Sequence, residues 1–324
     1  MNRAMWIIVG LLLAMTCRAG TSTEAEKFVE RANKFVKDNS LPRAKSEYLK
    51  ALKLSPGNLD ALYNLAVVCE RLGQNDEAIA HYKHYLELAP NDADAWTQLG
   101  VRYDETGKKA EAQAAYEKAL TINPKYGLAH HDLGVLLKER GKLDEAQKQL
   151  ETFVHLEEEA GRSNGDAYYS LGALYLERGR LRDAKMLLQK SIDSDPSIPY
   201  YNNAMGDIYL AEKRPDDALV YYRKAIEKDE KYAPAYSGMG DAYRQLGDVG
   251  KAADAYRKAL GLRKDYAVVH YKLGLLYEDT DPAQAIKHFE SYLASGKSLE
   301  FQSEAKAKIE KLKQTKPATQ NTKS

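Results

Sequence analysis

Few residues of this chain stand where chemistry could be done. His81 and His84 are three apart, which puts two imidazoles on one face of a helix, and His130 and His131 are adjacent. A metal would need further ligands converging on either pair, and neither stretch of sequence supplies them, so no metal site is expected. The chain has 2 cysteines. Cys69 falls in the pattern Leu62, Leu65, Ala66, Cys69, at helical spacing, where a thiol acts as a small buried hydrophobe. There is no phosphate-cradling P-loop, no Gly-x-Gly-x-x-Gly after a strand and no His-Glu-x-x-His. The residues therefore predict neither catalysis nor a cofactor. With 48 Lys+Arg against 47 Asp+Glu the formal net charge is +1. Such a balance gives no global attraction to nucleic acid or to an anionic membrane.

The first residues have the form of an export signal. Arg3 precedes a short apolar run, Ile7 to Met15, and small residues, Cys17 and Ala19, stand before a cut after Ala19. The run is shorter than the roughly 20 residues a membrane helix needs. Residues 1–19 are read as a signal peptide, which makes the protein exported, periplasmic or secreted. Two alternatives share the same residues: retention as an N-terminal membrane anchor, and lipid attachment at Cys17. The stretch Leu13 to Cys17 resembles a lipoprotein box loosely, because Met15 and Thr16 stand where small residues are expected. Removing residues 1–19 takes away Arg3 and Arg18 and leaves the charge near zero.

What positions the remaining residues is a repeat. Gly100, Gly134, Gly172, Gly206, Gly240 and Gly274 recur at intervals of 34, 38, 34, 34 and 34 residues. Ala44, Ala78, Ala112, Ala146, Ala184, Ala218 and Ala252 keep the same step, with the same excess between Ala146 and Ala184. Self-similarity at this period marks a stack of supersecondary units. Within one unit, Leu99, Gly100 and Tyr103 have helical spacing, Thr106-Gly107-Lys108 breaks the helix, and Ala112, Tyr116 and Ala119 resume it. Each unit is thus a helical hairpin that cannot bury its apolar face alone and must stack on neighbours. The 23 Tyr against 5 Phe and 2 Trp fit such a stack. Its core is one layer thick, so a ring can be buried while its hydroxyl reaches water or a nearby acceptor.

The series Trp96, Leu99, Gly100, Tyr103, Gly107, Ala112, Tyr116, Ala119, Pro124 resembles the tetratricopeptide repeat at every position of its pattern. The resemblance implies an all-α, right-handed superhelical solenoid. By this frame eight repeats span residues 25–297: 25–58, 59–92, 93–126, 127–160, 165–198, 199–232, 233–266 and 267–297. The extra residues around Glu157 to Gly165 imply a lengthened helix and a protruding loop, a point of flexion between repeats one to four and five to eight or a tolerated surface insertion. Residues 298–314, with Phe301, Ala305, Ile309 and Leu312 on one face, form an amphipathic helix suited to cap the array. Residues 315–324 are polar and are expected to be a disordered tail.

In tetratricopeptide-repeat proteins the first helix of each repeat lines a concave groove at its second, fifth, ninth, twelfth and thirteenth positions. Carried over, these positions give a peptide-binding groove of Tyr63, Val67, Val101, Asp104, Glu105, Glu139, Tyr169, Leu176, Tyr200, Leu210 and Tyr271. The same positions also hold Val135 and Leu275, and their acids outnumber their bases thirteen to four, Asp207 and Asp241 among them. The groove is thus expected to be acidic, and to suit segments with basic and apolar residues while repelling nucleic acid. Family members that clamp a C-terminal carboxylate use Lys, Asn and Arg at set positions. Asn33 and Asn64 match, but Val29, Asp94 and Gln98 occupy the basic places, so that clamp is not expected. The resemblance implies a non-enzymatic scaffold or adaptor that binds protein or peptide segments. The rival is a membrane-anchored, lipoprotein-like assembly factor of a cell-envelope machine such as a pilus or outer-membrane complex. Membrane contact enters only if the N-terminus is retained or Cys17 is lipidated.

Overall fold

The computed structural model describes residues 23–296 and 301–314. The signal peptide, Cys17, the first residues of the expected cap and the tail lie outside them. Among the described residues the chain is all α-helix and turn, with no strand. The helices pair in sequence: α1 (23–37) with α2 (Leu41–Leu54), α3 (Leu59–Arg71) with α4 (Asn75–Leu88), α5 (Ala93–Glu105) with α6 (Lys109–Ile122), and α7 (Gly127–Glu139) with α8 (Leu143–Glu159). Then follow α9 (Gly165–Glu177) with α10 (Leu181–Ser194), α11 (Pro199–Ala211) with α12 (Pro215–Lys228), α13 (Ala233–Gln245) with α14 (Val249–Leu262), α15 (Ala267–Tyr277) with α16 (Pro282–Ala294), and a last helix α17 (Gln302–Gln314). The chain forms two compact units, one ending at Gly161 and the other starting at Arg162. That division falls in the insertion, whose extra residues lengthen α8 to 17 residues.

Local signals set the helix ends. The Asn58 and Asp92 side chains accept from the amides of Ala61 and Ala95, at 2.8 and 3.0 Å, and so cap α3 and α5. Pro199, Pro215 and Pro282 open α11, α12 and α16, where a missing N–H costs nothing. Inside each hairpin but the last the first helix ends on a residue in the left-handed region, and the next amide reaches back to close the turn, as in Lys108 N–H to Tyr103 O at 2.8 Å. Gly73, Gly107, Gly141, Gly179 and Gly247 take that position with φ between 71° and 80°. In the sixth repeat it is held by Lys213 at φ 60°. A side chain there costs about 1 kcal/mol. Lys213→Gly should therefore stabilise the protein by about that amount, read as a higher midpoint in urea or thermal unfolding; an unchanged or lower midpoint would refute the strain.

The hairpins are held by a large side chain of the second helix laid on a glycine of the first. Tyr222 meets Gly206, Tyr116 meets Gly100 and Phe289 meets Gly274, each so closely that a Cβ on the glycine would fall about 2.5 Å from the ring. Tyr48, Tyr82, Tyr116, Tyr222, Tyr256 and Tyr292 are all fully buried. In the second unit Ala305, Ile309 and Leu312 of α17 close the last core layer.

Candidate binding face

The first helices carry the candidate residues, and each unit is described by itself. In the first unit Tyr63 and Tyr126 both donate their hydroxyls to Asp94, the latter at 2.5 Å. The Tyr63 ring stands edge-on to Tyr82 and Tyr85, with centroids 5.7 and 5.4 Å away. Tyr63, Val67, Val101 and Asp104 are half-buried, while Glu105 and Glu139 are exposed. Three of these acids are already paired. Arg102 reaches Glu105 at 2.9 Å and Glu70 at 3.4 Å, and Lys109 bridges Asp104 and Glu139, the latter at 2.8 Å. Arg102 and Lys109 lie outside the five groove positions, yet their charges reach the acids at those positions. The acidic excess of this face is therefore smaller than the sequence implies.

In the second unit the aromatic residues gather. Tyr169 and Tyr200 meet edge to face at 4.9 Å, Tyr200 and Tyr201 at 4.8 Å, and both Tyr200 and Tyr201 donate to Asp166, at 2.5 and 2.8 Å. Tyr169, Leu176, Tyr200 and Leu210 are half-buried and present part of their surface. Tyr271 does not. It is 5% exposed, because Phe301 stacks on it at 4.6 Å and Phe289 and Tyr292 pack beside it. Its place in the expected groove is corrected to a core position covered by the C-terminal segment.

A pattern not expected from the sequence runs through both units. A tyrosine of the second helix sends its hydroxyl to the ninth residue of the first helix, 15 positions earlier: Tyr48 to Asn33 at 2.5 Å, Tyr222 to Asp207 and Tyr256 to Asp241, both at 2.7 Å. Asp207 is walled by protein on nearly every side yet stays half-buried rather than closed off. Burial pushes its carboxyl up to about 6, against the opposing pull of the Tyr222 hydroxyl and the Lys272 charge. Asp241 has a closer cation, for Lys272 Nζ lies 2.5 Å from its Oδ2.

His81 does gain neighbours. Cys69, Glu77 and His81 bring one ligand atom each within 4.8 Å of the others. Lys45, however, already pairs with Glu77 at 2.7 Å, and burial raises the Cys69 thiol to about 11. A metal would have to expel Lys45 and deprotonate Cys69. His130 is a packing residue, as its place in the Trp96 position suggests, and it bonds Gln149 and the Pro124 carbonyl at 2.6 and 3.0 Å.

Comparison with known families decides what this repeat is. Tetratricopeptide-repeat models match residues 59–125, 115–148, 169–235 and 240–281, more than half of the chain between them. The chain is a tetratricopeptide-repeat protein. No curated protein matches it by sequence. Among solved structures, this tetratricopeptide-repeat protein is similar to a chain of the APC/C hetero-tetramer Cut9-Hcn1, with 21% identity, 88% of this chain and 55% of that chain covered, and a TM-score of 0.64. It spans little more than half the length of that chain. It is also similar to a tetratricopeptide repeat protein from Parabacteroides merdae, with 20% identity, 78% and 99% coverage and a TM-score of 0.66. A third similar structure is pilF of Pseudomonas aeruginosa, with 22% identity, 64% and 92% coverage and a TM-score of 0.54. At these identities the likeness is one of fold, the all-α repeat solenoid. No helix among the described residues is long and apolar enough to cross a membrane.

Proposed function

We propose that this tetratricopeptide-repeat protein is an exported, non-catalytic scaffold that binds segments of other proteins along the first-helix faces of its repeats. The observation that carries the reading is the half-buried tyrosine cluster of the second unit, Tyr169 with Tyr200, set beside the carboxylates of Asp166 and Asp207. Rings that keep an accessible edge, next to acids, suit segments bearing apolar and basic side chains. The fold is one that other chains use for assembly, as in the Cut9-Hcn1 hetero-tetramer. Export rests on residues 1–19. Attachment to a membrane through Cys17 is the second reading, favoured by the placement of that cysteine at the end of the apolar run.

A photo-reactive amino acid in place of Tyr169, introduced in cells, is expected to crosslink to protein. The same group at Met186, 63% exposed on the second helix of that repeat, is expected to give no comparable product. Crosslinks from Met186 and none from Tyr169 would overturn the choice of face. The mass of the mature N-terminus separates the two readings of export, since cleavage leaves Gly20 first and lipidation leaves a modified Cys17.

A further inference from the structure

The sixth and seventh repeats place the same acid in the same position and answer it differently. In the seventh, Asp241 accepts from Tyr256 through Oδ1 at 2.7 Å and takes the Lys272 ammonium on Oδ2 at 2.5 Å. That ammonium also donates to Ser237 Oγ at 3.1 Å. The seventh repeat thus holds a primary ammonium between its fifth and ninth residues, and the following repeat supplies it. In the sixth repeat the fifth and ninth residues are Asn203 and Asp207, and Asp207 Oδ1 accepts from Tyr222 in the same way. The residue 34 positions before Lys272, where the matching cation would originate, is Gly238. It is held to glycine by packing, since a Cβ there would lie 2.5 Å from the Tyr222 ring.

Asn203 Nδ2 donates to Asp207 Oδ2 at 3.1 Å, which fixes the amide and turns Oδ1 away, and that Oδ1 is buried with no hydrogen-bond partner. An orphaned buried acceptor beside a half-buried carboxylate calls for a donor that carries positive charge. The surroundings of Asp207 are otherwise acidic or phenolic: Asp241 from α13, Tyr222 from α12, Tyr169 from α9, and Tyr232 and Tyr266 from the turns before α13 and α15. Two cations of the second unit stand near these groups and both are engaged: Lys272 pairs with Asp241, and the Arg263 guanidinium lies 4.8 Å from the centre of the Tyr266 ring.

From this geometry we infer that Asn203 and Asp207, rimmed by Tyr169, Tyr232 and Tyr266, form a subsite for one primary ammonium, the side chain of a lysine in the bound segment. The occupant is chosen by the protein's own example. Lys272 shows that a carboxylate and a short polar side chain at these two positions hold an ammonium, and Asp207 and Asn203 Oδ1 offer acceptors for two of the three donors of a lysine. The Tyr169 and Tyr232 rings add cation–π attraction, while a face of Tyr266 is already taken by Arg263. The inference rests on the first-helix face being the binding face, and it names the chemistry of one contact on it.

The probe is Nα-acetyl-lysine N-methylamide, titrated into the full chain carrying ¹³C-labelled tyrosine and followed by NMR. Saturable shifts are expected at Tyr169 and Tyr232. Nα-acetyl-norleucine N-methylamide, of similar length without the charge, should bind at least about tenfold more weakly, as should the lysine probe with Asp207→Asn. Binding to wild type should weaken about tenfold between pH 7 and pH 5, as the Asp207 carboxyl, at about 6, takes up its proton. Asn203→Leu provides a second variant that leaves the carboxylate in place and should also weaken binding. Equal binding of the norleucine probe, tighter binding of Nα-acetyl-arginine N-methylamide than of the lysine probe, or indifference to both substitutions would overturn the subsite. The crosslinking from Tyr169 reads the face independently. Crosslinks without lysine preference sink the subsite alone, and lysine binding without crosslinks sinks the scaffold reading alone.

Discussion

Asp207→Asn is expected to make the protein more stable at neutral pH, by on the order of 2 kcal/mol. The folded carboxyl stands at about 6 and the ordinary value is 3.8, with burial as the main cause. Between those two values the folded protein keeps a proton that the unfolded chain has released. Stability therefore falls as the pH rises from about 4 to about 6, and above that the cost of the buried charge is complete. Water still reaches the carboxylate from one side, so the stabilisation should fall short of the full shift. Asparagine keeps the acceptor for Tyr222, and Asn203 can turn its amide so that Oδ1 accepts from the new side chain. The gain in unfolding midpoint should be clear at pH 7.5 and shrink toward pH 4. A variant less stable than wild type at pH 7.5 would show that Asp207 is held by partners that more than repay its burial. A charge kept at the expense of the fold is common where a surface must bind. The same substitution should remove the lysine subsite, so stability and binding are expected to move in opposite directions.

The repeat was legible because its signals recur at a fixed step. A glycine that admits a ring and an alanine between two backbones must return wherever the hairpin returns, so the first helices begin at Leu59, Ala93, Gly127, Gly165, Pro199, Ala233 and Ala267, where the frame starts its repeats. The capping face of Ala305, Ile309 and Leu312 was legible from helical spacing alone, and all three are buried. The face was harder to read, because its chemistry depends on reach. Lys109 and Arg102 lie outside the groove positions but have stems long enough to bring charge to Glu139 and Glu105. Tyr222 and Asp207 are joined across a turn, which a scan of one helix does not show. Tyr271 has the right position in its repeat, but Phe301 of the C-terminal segment stacks on it. Repeat equivalence, rather than position within one helix, would have found the subsite: Lys272 against Gly238 is visible in the sequence once the ninth-position acids are known to need an answer.

The glycines that pack against the second helices should divide into two classes, and Gly206 and Gly172 test the division. A Cβ at Gly206 would lie 2.6 Å from Tyr222 Cε1 and 2.8 Å from Cδ1. The ring cannot withdraw, because it is fully buried and Gly238 approaches it just as closely. At Gly172 the nearest atom is Leu188 Cγ at 3.2 Å, the branch of a side chain that can shift its rotamer by a few tenths of an ångström. Alanine in a helix is worth about 1 kcal/mol over glycine, while overpacking a rigid site costs about 1 to 3 kcal/mol. Gly206→Ala should therefore destabilise by about 1 to 2 kcal/mol, and Gly172→Ala should be neutral or slightly stabilising, each read from its unfolding midpoint. The larger Gly172→Leu exceeds what Leu188 can yield and should be destabilising like Gly206→Ala. Moving the Tyr222 ring also moves the hydroxyl that holds Asp207, so Gly206→Ala should weaken binding of the lysine probe where Gly172→Ala does not. If both alanine variants unfold alike, the ring contact at Gly206 is softer than its distances imply, and the aromatic layer does not set the position of the acid above it.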